Sequence, residues 1–584
     1  MNAGDAANAW LDVDADEVSD LIVASMTANG IDILFFSSGW EIAFFQEAIA
    51  KARARGGAAP RIITMTHEHG GLNAALGYAA VTGRPAATAV HVDAGTLNQG
   101  AAIHTAWRSG LPVLLIAGGA PTSYPGSRRG ARDSGGHIWM QDAPDQSGIV
   151  RQYTKWCHRL EEHDNAGLIV SRAVQVAASE PPGPVYLTIP KEVALRPADG
   201  GTFPTAAQLG LPLPTDANAA GIETLARRLL AARNPVAVVA GSGKDPRAVA
   251  ALVELCELLG IAVVHATPRP YLSFPTDHPL NADAAALDDA DVVVAIETVV
   301  PWIPGVHEPP RGAFVASIDV DPIKPRIPIY EFTADLRLTA DAFSAITALA
   351  TACGRSITTQ GRRDAATRVA RWAAISAERR RADDDDARSR AGNDPIDPVW
   401  LSYCIGQALD DDCIVFDETI EHSRLRRYLR RTQPGSYFHN PGTSGGWAPG
   451  AALGAKLALP DRDVVAITGD GFYMYSTANA TLWAAKHYGA PYLTIVYQNR
   501  SYSTGTSRLA FTYPSSLAVA AGSEGGYFDP PLDFAREAES AGAYGENVRD
   551  PADIPAAIAR GLAHIRSGTP AVIAVWLPRL LHDT

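Results

Sequence analysis

The chain has 584 residues, 47% hydrophobic and 19% charged, an ordinary globular composition with length for three or four domains. Lys and Arg number 50 against 63 Asp and Glu, and the formal charge of −13 excludes a protein that wraps nucleic acid on a broad basic face. No apolar run approaches the roughly 18 residues of a membrane span, and 51 Gly and 41 Pro are too dispersed for a collagen-like or low-complexity chain.

The N-terminal MNAGDAANAWLDVDADEV is acidic and has no basic stretch followed by an apolar one, so it does not read as a secretion signal. Residues 15–190 then alternate helical and strand-like segments. EVSDLIVASMTANG has helical spacing, DILFFSSG reads as a strand and a Gly turn, and PAATAVHVDAG and LPVLLIAGG are short apolar runs. Such alternation, with strands apolar throughout, predicts a parallel sheet covered by helices on both faces. A Pro-rich stretch around 191–235 reads as a linker. NPVAVVAGSG, GIAVVHAT, DADVVVAIE and AFVASIDVD predict a second parallel sheet. Residues 354–395, with TRVARWAAISAERRRADDDDARSR, read as a charged, helix-like connector. CIVFDE, DVVAITGDG, PYLTIVYQN and PAVIAVWLP predict a third sheet. The expected class is α/β, with doubly wound parallel-sheet domains at 1–190, 191–353 and 396–584 and a charged linker at 354–395. The five cysteines, Cys157, Cys256, Cys353, Cys404 and Cys413, form no CxxC pair, which predicts reduced thiols in a cytoplasmic protein.

One internal echo organises the chain. AALGYAAVTGRPAATAVHVDAGT begins at Ala74, and AALGAKLALPDRDVVAITGDGF begins at Ala451. Each reads as a helix, a turn with Arg, an apolar strand and a Gly-containing turn, followed by a further helix and strand. Two such units predict a duplication with the middle domain inserted between the copies.

The second copy carries Gly469-Asp470-Gly471 at a strand end. Glycines at a strand-to-helix turn let backbone N–H groups approach an anion, and the helix start favours phosphate. An Asp in that turn suits a diphosphate only with a cation between them. Mg²⁺ meets that need through oxygen ligands. The next strand ends at Asn499, and adjacent parallel strands deliver their carboxyl ends to one crevice. Asp470 and Asn499, with a backbone carbonyl near Ser501, form a candidate metal set.

The GDG turn, helix and Asn-ended strand resemble the thiamine-diphosphate (ThDP) enzymes of the acetolactate synthase, benzoylformate decarboxylase and pyruvate decarboxylase type. Two departures are a slightly longer spacing from Phe472 to Asn499 and Gln498-Asn499 where the family has an Asn pair. The resemblance implies that Gly469, Asp470, Gly471, Phe472, Asn499, Ser501 and Tyr502 hold the cofactor. It also implies a catalytic glutamate, which Glu68 in MTHEHGGLNAALGYA matches. That carboxyl would hydrogen-bond the aminopyrimidine ring so that the exocyclic amine becomes a base. His91 falls where benzoylformate decarboxylase has an active-site His, and a His there can shuttle protons. Asp93 beside it replaces a small residue, and Asn98 is expected to cap or pack the following helix. Gln141 matches a Gln that lines the site from the partner subunit, with His137 and Trp139 near it. The guanidiniums of Arg128, Arg129 and Arg132 are either solvated or a carboxylate clamp.

Other positions are less regular. In SGGWAP, Gly445 takes the place of the bulky residue that supports the bent cofactor, next to Gly446, which leaves a gap unless the register shifts or another side chain fills it. Glu418 and Thr419 match a cofactor-side loop by position. The middle domain has GSG after a strand but no GxGxxG, so FAD or ADP, held there by some relatives, finds no support in the sequence. The basic run HSRLRRYLRRT (Arg424, Arg426, Arg427, Arg430, Arg431) reads as a solvated or subunit-facing helix, or as a contact for a CoA phosphate.

The resemblance implies a ThDP- and Mg²⁺-dependent enzyme acting on a small carbonyl substrate, a 2-oxo acid, by decarboxylation with or without carboligation. It implies a homodimer at minimum and commonly a homotetramer, with each site shared between subunits. Alternatives are a 2-hydroxyacyl-CoA lyase or cyclic diketone hydrolase on the same cofactor, and a non-catalytic regulatory subunit of the same fold.

Overall fold

A computed structural model describes residues 10–132, 135–419 and 424–579. The first nine residues of the acidic leader, and 420–423 of the loop after Thr419, lie outside the described residues. The N-terminal part contains β1 (Leu11–Val13), β2 (Ile33–Phe36), β3 (Arg61–Thr64), β4 (Ala86–Val90), β5 (Val113–Gly119), β6 (Trp156–Arg159), β7 (Val185–Pro190) and β8 (Gly201–Phe203). β1 and β8 pair antiparallel, and the other six form a parallel sheet in the order β3-β2-β4-β5-β7-β6. Every residue of β2, β4, β5 and β7 is buried, as helices on both faces require. Two helices of this part matter below: α1 (Glu68–Thr82) and α2 (Asp93–Asn98).

The middle sheet, β9 (Pro235–Val239), β10 (Ala262–His265), β11 (Asn281–Ala282), β12 (Val292–Ile296), β13 (Phe314–Asp319) and β14 (Leu336–Thr339), is also parallel, in the order β11-β10-β9-β12-β13-β14. Its GSG turn serves packing. A Cβ on Gly243 would overlap the Leu272 carbonyl, and one on Gly241 would lie 3.1 Å from the Glu297 carbonyl oxygen.

The stretch 354–395 contains α3 (Thr359–Ser389), a 31-residue helix capped by the Thr358 side chain. Its first half is fastened to the middle domain: Arg368 donates to the Leu259 carbonyl at 3.1 Å, and the buried Ser376 hydroxyl donates to the Pro279 carbonyl at 2.8 Å. Its acidic end meets the basic run. Arg427 pairs with Asp383 at 2.9 Å, Arg430 with Asp384 at 2.5 Å and Arg424 with Asp386 at 3.2 Å. The two charged runs are therefore each other's counterions.

The C-terminal sheet comprises β15 (Ile414–Glu418), β16 (Tyr437–His439), β17 (Val464–Gly469), β18 (Leu493–Gln498), β19 (Tyr544–Val548) and β20 (Ala571–Trp576). It is parallel, in the order β16-β15-β17-β18-β20-β19. Counting strands within each sheet, the N- and C-terminal sheets share the order second, first, third, fourth, sixth, fifth, which the middle sheet lacks. The helices here are α4 (Leu425–Tyr428), α5 (Ala448–Ala458) and α6 (Asp470–Tyr475).

The duplicated AALG runs meet face to face. A Cβ on Gly77 of α1 would overlap the Ala451 carbonyl, and a Cβ on Gly454 of α5 would overlap the Ala74 carbonyl. The contact is reciprocal: each copy's glycine receives the backbone of the other copy's first alanine. Ala74, Ala75, Ala451, Ala452 and Ala455 around it are fully buried. Small residues here let two helix backbones approach closely. No described helix is long and apolar enough to cross a membrane, and all five cysteines are free thiols.

Candidate functional site

β17 and β18 are neighbours in register, with Gly469 opposite Tyr497. The residues that follow the two strands, Asp470 after β17 and Asn499 after β18, are therefore delivered to one crevice at the carboxyl ends, and both are buried. They line one cavity of about 180 Å³ with Glu418, Thr419, Gly469, Gly471, Phe472, Ser501 and Tyr502. Nine of the residues read from the sequence are thus brought together.

The donor set suits a hard cation. Asp470 accepts from the backbone N–H groups of Gly471 (2.8 Å) and Arg500 (2.5 Å), and burial pushes its carboxyl up to about 7. Asn499 offers its amide oxygen, which accepts from the Ser501 N–H at 3.0 Å and hydroxyl at 2.9 Å. Arg500 between them is left-handed, with φ +58°, and turns the chain back at the strand end. The described residues contain no group of three or more His, Cys, Asp or Glu side chains that could hold a metal. A metal held here would rest on one carboxylate, one amide and backbone oxygen, the ligand types Mg²⁺ accepts alongside phosphate oxygens. A buried carboxylate of raised pKa is also the group that a divalent ion would return to its charged form.

Glu418 closes the other side of the cavity. It is buried at the end of β15 and accepts from Asn440 Nδ2 at 2.6 Å and from the N–H groups of Trp447 (2.9 Å) and Ala448 (3.1 Å) at the start of α5. Burial pushes its carboxyl up to about 7 against these donors. Thr419 is fixed by Asp417 through its N–H and hydroxyl, at 2.8 and 2.7 Å. Gly446 has φ +95°, and a Cβ there would come within 2.7 Å of the Ser476 nitrogen. A Cβ on Gly445 would lie 2.5 Å from the Phe472 ring. Phe472 therefore occupies the space that a side chain at Gly445 would take.

The N-terminal residues gather elsewhere. Glu68 is the first residue of α1, and its carboxylate accepts from Asn98 Nδ2 at the end of α2. Asn98, expected to cap or pack the helix, instead orients Glu68. Among the described residues, none of the N-terminal part, Glu68 included, lines the Asp470 cavity. His91 Nε2 is hydrogen-bonded to Glu41, and a Cβ on Gly39 would overlap the imidazole. Glu41 is 1% exposed, with His137 Nε2 at 3.7 Å. Burial opposes its charge, but the His91 hydrogen bond and the nearby Lys191 ammonium hold its pKa below the usual carboxylate range. Sequence reasoning missed Glu41; its signal is a carboxylate after the strand-end SSGW turn. Gln141 has a buried Oε1 without a hydrogen-bond partner among the described residues. Trp139 is exposed, with Arg132 stacked over it at 5.6 Å.

Arg128 pairs with Glu162 at 2.8 Å, Arg129 with Glu17 and Arg132 with Asp142, so these guanidiniums already hold carboxylates of the chain. Asp93 accepts from its neighbour Ala94 N–H at 2.7 Å. The segment 523–534 (SEGGYFDPPLDF) lies against Tyr502, which lines the cavity. The Gly526 carbonyl accepts from Tyr502 N–H at 2.8 Å, and Phe528 packs edge-on to Tyr502 at 4.5 Å.

Three domain models match in order: "Thiamine pyrophosphate enzyme, N-terminal TPP binding domain" at residues 16–149, the central domain at 222–349 and the C-terminal TPP binding domain at 421–575. Benzoylformate decarboxylase of Pseudomonas aeruginosa is 28% identical over 460 residues, covering 76% of this chain and 79% of the relative. Acetolactate synthase isozyme 3 large subunit of Escherichia coli is 24% identical over 577 residues, covering 94% and 92%. The solved thiamine diphosphate-dependent 4-hydroxybenzoylformate decarboxylase of Rhodococcus jostii superposes with a TM-score of 0.75 at 22% identity, covering 96% of this chain and 99% of that one.

Proposed function

Because the chain belongs to the thiamine-diphosphate-dependent enzyme family, we propose that it decarboxylates a small 2-oxo acid with ThDP and Mg²⁺. The observation that carries this reading is the pairing of buried Asp470 and Asn499 over one cavity at adjacent strand ends. When bound, ThDP supplies a nucleophilic carbon and an electron sink, so that a carboxylate beside the attacked carbonyl can leave as CO₂.

The chain's own residues divide the remaining work. Asp470, Asn499 and the Ser501 carbonyl would hold Mg²⁺, while the glycines at 469 and 471 keep the turn open to a diphosphate. Glu418, Thr419, Gly445, Gly446, Phe472 and Tyr502 shape the cofactor's bed, with Phe472 as the apolar support. Asn98 engages Oε2 of Glu68, which leaves Oε1 as the oxygen that would face the cofactor ring and hydrogen-bond it. Glu41 takes Nε2 of His91, so Nδ1 is the nitrogen left to exchange a proton with the substrate. Gln141 lines the substrate side. A second copy would complete each site by bringing its own Glu68 to the Asp470 cavity, in a homodimer that can pair into a homotetramer.

A decarboxylase must protonate the carbon that CO₂ leaves, whereas a carboligase must keep protons away until a second carbonyl arrives. The His91–Glu41 pair favours the first, as does the similarity to benzoylformate decarboxylase. The test is CO₂ release and product analysis on a 2-oxo acid panel including benzoylformate and pyruvate, with ThDP and Mg²⁺. Aldehyde formed in step with CO₂ is the expected result. A ketol product would move the reading to carboligation, and no CO₂ from any member with ThDP demonstrably bound would refute it.

A further inference from the structure

A second cavity, of about 180 Å³, lies where the middle domain, α3 and α4 meet. Six arginines line it: Arg269, Arg379, Arg380, Arg426, Arg427 and Arg430. Against them stand two lining aspartates, Asp283 paired with Arg379 at 3.1 Å and Asp383 paired with Arg427. Two more carboxylates stand behind: Asp384 with Arg430, and Asp417 at 3.5 Å from Arg426. Among the described residues six guanidiniums thus face four carboxylates, and neither Arg269, which bonds Tyr437 and shares the field of Asp417 with Arg426, nor Arg380 has an ion-pair partner of its own. Arg380 donates only to a neutral group, the Asp277 carbonyl at 2.9 Å, among the contacts described.

Arg269 is the informative member. It is 7% exposed, lies over the Tyr437 ring at 5.1 Å, and its Nε has no hydrogen-bond partner among the described residues. Burial and the nearby Arg426 charge lower its pKa, yet a guanidinium does not deprotonate in a protein. His265 on the same wall has both ring nitrogens buried and unpartnered among the described residues. A buried cation with unused donors is costly unless an anion meets it.

We propose that this cavity is a binding site for a phosphoryl dianion, whose two charges match the excess and whose oxygens accept from Arg269, Arg380 and a His265 N–H. Guanidinium forks suit phosphate oxygens in this way. The phosphoryl group can come from free phosphate or from a nucleotide, and both present the same chemistry.

Calorimetric titration of inorganic phosphate into protein saturated with ThDP and Mg²⁺ keeps the glycine turn at Asp470 filled. The expected result is one saturable site per chain, with affinity falling at least about tenfold in Arg380→Gln, as loss of one charge-assisted contact implies. Arg380 is only half-buried, so this variant remains testable if Arg269→Gln fails to fold; circular dichroism checks both. ADP titrated in parallel separates the sources: binding at least about tenfold tighter than phosphate assigns a nucleotide, and equal binding assigns free phosphate. No saturable binding of either probe, or equal binding in wild type and Arg380→Gln, overturns the proposal.

Discussion

Replacing Gly454 by alanine should destabilise the protein even though the position is mid-helix. In an exposed helix the change would help by about 1 kcal/mol through backbone entropy. Here the new methyl would overlap the Ala74 carbonyl and sit 2.7 Å from its carbon and 2.8 Å from the Tyr78 nitrogen. All three atoms are backbone, so no side chain can swing away. α1 and α5 must part, and fully buried alanines around the contact lose their partners together. Overpacking of this kind costs about 1–3 kcal/mol, enough to reverse the propensity gain. Gly354 is the internal control: it lies in the helix Ala342–Ser356, is exposed, and a Cβ there meets nothing within 4 Å. Gly354→Ala should therefore stabilise by about 0.5–1 kcal/mol. Thermal unfolding of the three proteins side by side reads the sign. If Gly454→Ala melts at or above wild type, the reciprocal glycine contact does not hold the two halves together.

Asp470→Asn should remove the ThDP-induced rise in melting temperature at any Mg²⁺ concentration, since the amide cannot neutralise the ion; a full rise in the variant would take Asp470 out of the metal set. Glu68→Gln should abolish turnover while leaving ThDP affinity, measured by calorimetry, within about twofold, and full turnover would remove Glu68 from its role. Glu41→Gln should lower kcat by about 10- to 100-fold with little change in KM and alter the pH profile, because it acts through His91; an unchanged profile would make Glu41 merely structural.

Much of this molecule is legible in the order of its residues. Short, wholly apolar runs ending in small residues and alternating with helical spacing read as strands covered on both faces, and the AALG echo anticipates two sheets with one connection order. Asp470 and Asn499 were readable because parallel strands deliver consecutive carboxyl ends to one crevice. Glu41 was not, because nothing local links a carboxylate after β2 to a histidine after β4; only their adjacency in the sheet does. Phe472 beside Gly445 needed a contact between the loop before α5 and the helix α6. The charged runs at 383–386 and 424–431 were legible one at a time as solvated stretches, but a pair of opposite runs is a two-body fact, and the fold brings them together.

The echo also bears on one pair of positions. Glu68 lies six residues before its AALG run, and Gly445 lies six residues before the other. They hold equivalent positions in the two echoed units. In one copy that site opens a helix with a carboxylate. In the other the helix starts later, at Ala448, and the site holds no side chain at all, which leaves space for Phe472. Alike in place along the echo, the two positions differ in all that a side chain supplies: a carboxylate in one half, and in the other a space that the Phe472 ring takes.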